Sequence, residues 1–256
     1  MIKRLLLSSF FLYMAVVSPV SFAESVSEKD AQSLLSVFVG YTDLRISSVQ
    51  RSIEILASTT EAGSGKWENM KGLLSGYQKS DNGLIVWYVR PDGTYYTADK
   101  GLLDVRLSDR SYFRGLMAGR KITGALVVSK STGQRSAVIA VPMKKGDKVV
   151  GAIGASLFLD RFSEEIASVL ALRTDAAFFA LAPDGLTAIH RKTDRHFLDP
   201  RELGSETLKK AANEMLAGNS GEVIYEFDNA TKRAIYRTSP LTQWKFAITF
   251  SSTPVK

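Results

Sequence analysis

The chain has 256 residues, a formal net charge of +7 and no cysteine. The absence of cysteine excludes disulfides, thiolate nucleophiles and thiolate metal sites, so the fold must be held by its apolar core alone. The basic excess is mild: it suits anionic solutes or surfaces without fixing a partner.

In chain order, Lys3 and Arg4 precede a mostly apolar run from Leu5 to Val17, and small residues lead to Ser21-Phe22-Ala23. Charge, apolar run and small-residue cleavage site in that order predict a secretory signal peptide over residues 1–23, cut after Ala23. The alternative is a retained anchor, although the run is shorter than the roughly 20 residues a spanning helix needs, and Pro19 interrupts its end. Losing Lys3 and Arg4 with no acid lowers the net charge from +7 to +5. The expected product is soluble and periplasmic, and export argues against nucleic acid as a partner.

Residues 24–62 read as one long spine helix. No proline falls between Ser27 and Thr59, and Ala31, Leu34, Phe38, Tyr41, Val49, Ile53 and Leu56 recur mostly three or four apart, with Leu44 expected to fill the gap near Arg45. Turn residues and a short helix follow in "EAGSGKWENMKG". Beyond them the period changes. "GLIVWYV", "RPDG" and "TYYTA" read as strand, tight turn, strand; after a helix in "SDRSYFRGLMAG" come strands in "GALVVS", "SAVIAVPM" and "KVVGAIGASLFL". Short polar turns between successive strands predict an antiparallel sheet.

The layout then recurs. "AAFFALAPDGLTAIH" repeats the hairpin, "ELGSETLKKAANEMLAG" the helix, and "GEVIYEF", "KRAIYRTSPL" and "WKFAITF" the three strands; Pro91, Gly124 and Pro142 find counterparts in Pro183, Gly221 and Pro240 at nearly constant offset. Landmarks in the same order at one spacing favour internal duplication over coincidence of turn types. Residues 63–160 form the expected first module. Residues 161–256 begin with a linker helix, "LDRFSEEIASVLALR", and form the second. The fold class is α+β: a long helix packed along two tandem modules, each an antiparallel sheet flanked by helices.

Catalytic and metal signals are weak. His190 and His196 sit in one cation-rich loop, "HRKTDRHFLDP", with no converging ligands, so no metal is expected. "GSGK" departs from a phosphate loop at Thr60 and Trp67. No nucleophile elbow occurs, and an enzyme or a bound cofactor is not expected.

A cleavable export signal, a long helix, the strand-PDG-strand opening, "SDRSYF" before a helix, "VPM" and "VVGAIGASLFLD" together resemble the extracytoplasmic double Cache sensor domains, the PAS-like tandem family. The resemblance implies stacked modules with the ligand pocket in the first, membrane-distal one. It nominates Arg110, Tyr112 and Phe113 of "DRSYF" as pocket residues. The amino-acid-binding branch carries a tyrosine, an Arg-x-Trp-Tyr arrangement and an aspartate where this chain has Val105, Tyr112-Phe113 and Ser156.

A guanidinium beside aromatic rings matches a carboxylate bidentately. With Lys130 as a second cation and no aspartate to counter them, the expected ligand is a small organic carboxylate. An amino acid or amine, or a vestigial pocket in a structural or regulatory protein, remain as alternatives. Arg114 shares a helical face with Arg110 and is as readily explained by solvation. Alternation puts Ala152, Gly154, Ser156 and Phe158 on one face, where small residues leave volume for a ligand or for close packing. Of the strand aromatics Trp87, Tyr88, Tyr95 and Tyr96, one or two are expected at a cavity, and Tyr88 completes the candidate set with Ser156. The second module has "DPRELGSE" at the matching place and reads as structural or transmitting. The partners implied are a small anionic metabolite, a membrane-bound receptor, kinase or cyclase, and a second copy of the chain joined through the long helix.

Overall fold

The computed structural model describes residues 28–251; the expected signal peptide lies outside them. Among the described residues no helix is long and apolar enough to cross a membrane.

Helix α1 runs unbroken over Glu28–Ala57, about 45 Å at 1.5 Å per residue. Its buried stripe is Ala31, Leu35, Phe38, Thr42, Ile46, Val49 and Ile53, every step three or four residues long, which keeps one line facing inward. Leu44 does not fill the gap near Arg45, being 63% exposed. It lies two residues from both Thr42 and Ile46, roughly 200° around the helix from that line. Arg45 instead pairs with Asp81 at 2.7 Å, tying α1 to the start of the first sheet.

After α2 (Thr60–Gly63) and α3 (Trp67–Ser80), the first sheet is built from β1 (Leu84–Val89), β2 (Thr94–Thr97), β3 (Gly101–Arg106), β4 (Ile122–Val128), β5 (Arg135–Lys145) and β6 (Lys148–Phe158), in the order β3-β2-β1-β6-β5-β4. Short helix α4 (Phe113–Met117) sits between β3 and β4, and α5 (Leu159–Leu170) leads onward. The second sheet comprises β7 (Ala176–Leu181), β8 (Thr187–His190), β9 (Ser220–Phe227), β10 (Ala230–Thr238) and β11 (Lys245–Ser251), ordered β8-β7-β11-β10-β9, with α6 (Glu206–Ala217) before β9.

Without edge strand β3, which the sequence pattern did not suggest, the two sheets have the same strand order. The opening hairpins match even in their hydrogen bonds. Asp92 Oδ1 accepts from the Thr94 N–H, and Asp184 Oδ1 accepts from the Leu186 N–H. Gly93 and Gly185 take φ of 86° and 97°, the left-handed conformation that glycine enters without a Cβ clash.

One apolar cluster runs behind both sheets. Phe38 of α1 meets Phe178 and Phe246 of the second sheet edge-on at 5.3 and 4.8 Å, and the same cluster takes in Val86, Tyr88, Ile139 and Ile153 of the first. Each sheet's other face carries its own cluster: Trp87, Tyr95, Phe113 and Leu116 in the first, and Phe179, Leu208, Met215 and Tyr225 in the second.

The small-residue face of β6 has a specific occupant. A Cβ on Gly154 would lie 2.2 Å from Trp87 Cζ2, so the volume those small residues vacate is filled by the Trp87 indole. Its Nε1–H donates to Ser156 Oγ at 3.0 Å. Gly154→Ala should expel the indole, break that hydrogen bond and cost about 1–3 kcal/mol, read as a lower midpoint in urea unfolding. An unchanged midpoint would show that the ring is not confined there.

Candidate functional site

Arg110 is held in place by its neighbours. Its backbone N–H donates to Leu107 O and its carbonyl accepts from the Phe113 N–H, forming consecutive tight turns. Its guanidinium Nη2 donates to Val128 O at 2.6 Å across the gap to β4, while its Nε is buried with no hydrogen-bond partner. A buried guanidinium N–H that meets no acceptor is costly, and it marks where an acceptor would bind.

Around that N–H stand two phenols. Burial pushes the Tyr95 hydroxyl up to about 12, and it donates to Ser131 Oγ at 3.3 Å. Burial pushes the Tyr112 hydroxyl up further, against the favourable Arg110 charge. Both are therefore neutral donors at any physiological pH. Trp87 meets Tyr95 edge-on at 6.0 Å. Trp87 and Tyr95 are buried on one face of the first sheet, with Ser156 hydrogen-bonded to Trp87 and Tyr112 packed against that cluster.

The sequence-derived candidates divide. Arg110 and Tyr112 come together here, and Ser156 reaches the same face through Trp87. Phe113 is on this side but buried in the apolar cluster. Lys130 is neutralised: its Nζ donates to both Asp109 carboxylate oxygens at 2.7 Å and to Arg106 O. Tyr88 is not brought to this face. It follows Trp87 directly in β1, so its side chain points to the spine side, where it stacks on Tyr96 and donates to Gly65 O at 2.8 Å. Arg114 is exposed. Ser131 was not singled out, and Tyr95 was named only as one of four strand aromatics. Tyr95 could have been found from register, since it pairs with Val89, two residues from Trp87 on β1.

The second module holds a half-open cavity of about 520 Å³ between its sheet and α6, walled by Phe179, Leu181, Leu208, Met215 and Tyr225 and reached by His190, Lys192, Arg195 and Lys232. This is the cation-rich loop that gave no metal pattern. Among the described residues no group of three or more His, Asp or Glu side chains is placed to hold a metal ion.

A family model described as Cache domain matches residues 21–255. The chain belongs to the Cache domain family. Among curated proteins it is 26% identical over 208 residues to the methyl-accepting chemotaxis protein McpB of Bacillus subtilis, covering 79% of this chain and 30% of that one. It is 24% identical over 181 residues to toxin coregulated pilus biosynthesis protein I of Vibrio cholerae, covering 69% and 28%. The chain therefore spans under a third of the length of the curated relatives it matches. Among solved structures, the sensory domain of the Campylobacter jejuni chemoreceptor Tlp3 with isoleucine bound aligns with TM-score 0.64 at 16% identity, over 88% of this chain and 92% of that one. An extracellular domain assigned to a histidine kinase, rpHK1S-Z16, aligns with TM-score 0.73 at 18% identity, over 88% and 94%. These likenesses establish the fold, and the chain is a Cache sensor domain similar to the ligand-binding domains of chemoreceptors and kinases.

In this Cache chain the two modules meet at a polar joint. His196, buried in the second module's loop, has Nδ1 2.7 Å from Asp160 Oδ1 and Nε2 2.9 Å from Ser163 Oγ, both on α5. Arg135 of β5 reaches the His196 carbonyl and Asp160. Burial lowers the His196 pKa, with Asp160 opposing, and burial pulls His190 down to about 3, reinforced by Arg195 and Lys192.

Both rings are therefore neutral in the fold and protonate more readily once unfolded. Their contribution to stability is present above about pH 6.5 and is lost as pH falls below it. The thermal midpoint should be flat near pH 7.5 and drop as pH falls from about 6.5 toward about 3, with a shallower drop in His190→Gln and His196→Gln. Identical slopes in wild type and both variants would contradict this assignment.

Proposed function

We propose that this chain is the ligand-binding part of an exported sensor that takes a small organic carboxylate in its first module. Occupancy then passes to a membrane-bound receptor, kinase or cyclase. The observation that carries this reading is the buried, unpartnered Arg110 Nε–H, flanked by the Tyr112 and Tyr95 phenols. A carboxylate supplies the missing acceptor, and exclusion of water by the aromatic rings strengthens the pairing. An α-amino group has no acid to meet at Ser156, whose hydroxyl already accepts from Trp87. That absence of a counter-charge favours a simple acid over an amino acid, although Tlp3 was solved with isoleucine.

In this reading residues 1–23 are a signal peptide cut after Ala23 and the product is periplasmic. Residues 63–160 form the ligand-binding, membrane-distal module; 161–256 supply the linker helix and a transmitting, membrane-proximal module. Val37, Leu44 and Ile55 on the outer side of α1 are 47%, 63% and 68% exposed, which suits pairing of two copies along that helix.

A thermal-shift screen of the mature protein against mono- and dicarboxylic acids, amino acids and amines tests the proposal. A specific acid at about 100 times its Kd should raise the midpoint by roughly 5 °C. Arg110→Ala should abolish that rise and leave the unliganded far-ultraviolet spectrum unchanged. A rise that survives Arg110→Ala removes this residue from the site. A response to amines instead of acids overturns the charge argument.

A further inference from the structure

The second module's cavity shares neither residues nor elements with the Arg110 region. Its interior is apolar on three sides: Phe179 and Leu181 from β7, Leu208 and Met215 from α6, and Tyr225 from β9. The Tyr225 hydroxyl is already satisfied by Thr249 Oγ1 at 3.3 Å. Its volume of about 520 Å³ lies within the range of small-molecule sites.

Charge on the fourth side is unbalanced. Lys192, Arg195 and Lys232 all reach the cavity. Arg195 is paired with Asp228 at 3.2 Å. Among the described residues Lys232 Nζ has no hydrogen bond or ion pair, and it lies over the face of the Phe227 ring at 5.3 Å from its centroid. Burial lowers the Lys232 pKa, and the neighbouring Lys192 and Arg195 lower it further against Asp228. The remaining charges at the rim are engaged elsewhere. Arg191 donates to the Arg173, Leu172 and Ala176 carbonyls, and Asp175 forms an ion pair with Arg173 at 3.3 Å although its buried Oδ1 accepts no hydrogen bond.

His190 adds a directed donor. Its Nδ1 accepts from the Lys192 backbone N–H at 2.8 Å, which places the proton of the neutral ring on Nε2. The ring stacks on Phe179, centroids 6.2 Å apart, so this donor sits where apolar wall gives way to cationic rim.

We propose that the second module carries a ligand site of its own, taking an amphipathic monocarboxylic acid with its apolar body against Phe179, Leu208 and Met215 and its carboxylate against Lys232 and His190. One charged end matches one cationic rim. A dicarboxylate would bury its second charge among apolar walls, and an amine would add to the positive cluster. The proposal is independent of the Arg110 reading, because each site is removed by its own substitution.

Calorimetric titration of the full mature chain with phenylacetate, and with hexanoate as an aliphatic probe, tests it. Phenylacetate should bind saturably, should bind at least about tenfold more weakly to Lys232→Met, which keeps the stem and removes the charge, and should bind Arg110→Ala as it binds wild type. Met215→Trp, which fills the cavity without touching the charges, should also abolish binding. The uncharged isostere 2-phenylethanol and the cation phenethylamine should fail to compete. The proposal is overturned if neither acid binds, if 2-phenylethanol competes equally, or if binding is lost in Arg110→Ala but kept in Lys232→Met. Failure of the first-module reading would instead appear as a small-acid response insensitive to Arg110→Ala, with phenylacetate binding unaffected.

Discussion

Everything in the architecture depends on one helix sealing two sheets. The inward line of α1 reaches behind both modules, and Phe38 wedges between Phe178 and Phe246 while the same apolar cluster continues to Val86 and Ile153. Neither sheet could bury its rear face alone without a partner layer. With that face closed by a shared element, each sheet has its opposite face free to be covered by local helices and loops. The candidate ligand regions lie on those opposite faces, so burial behind and recognition in front are separate tasks of the same strands.

The two modules use one strand order for different chemistry. In the first, the covering segment is a pair of tight turns that hold Arg110 by its own backbone and by Val128 O, and the space over the small residues of β6 is taken by Trp87. In the second, α6 and the loop from Arg191 to Leu203 stand off the sheet, leaving the cavity beneath. Between them, the joint of His196 with Asp160 and Ser163 gives the modules a polar contact beside the apolar one. Trp244 adds to it, its ring close against Gly124 of β4. A change of arrangement in either module must act on that joint or on α1, since these are the elements that touch both.

Much of this was legible in the residues. Turn chemistry at Pro-Asp-Gly, period-two strands and the repeated order of landmarks specified two modules of one kind, because each rests on local geometry. Strand β3 was missed because "GLLDVR" lies exposed on the sheet edge, and an edge strand with little buried surface lacks the apolar alternation that marks the others. Leu44 was misplaced because hydrophobicity alone cannot say which of two helix faces turns inward. Thr42, polar yet fully buried, holds the line in its stead. Tyr88 and Trp87 are equivalent as composition and differ only in the face each strand position presents.

The sequence by itself determined the order of elements apart from edge strand β3, the duplication and the candidate Arg110 segment, since turns, periodicity and short motifs are properties of neighbouring residues. Tertiary structure alone decided that Lys130 is spent on Asp109, that Ser156 is spent on Trp87, and that Arg110 Nε is left without an acceptor. It also decided that cations of an unremarkable loop and Lys232 of β10 meet at one side of a hollow in the second module. Those outcomes depend on which side chains far apart in the chain meet across a sheet, and hydrogen-bond satisfaction and empty volume exist only once they have met.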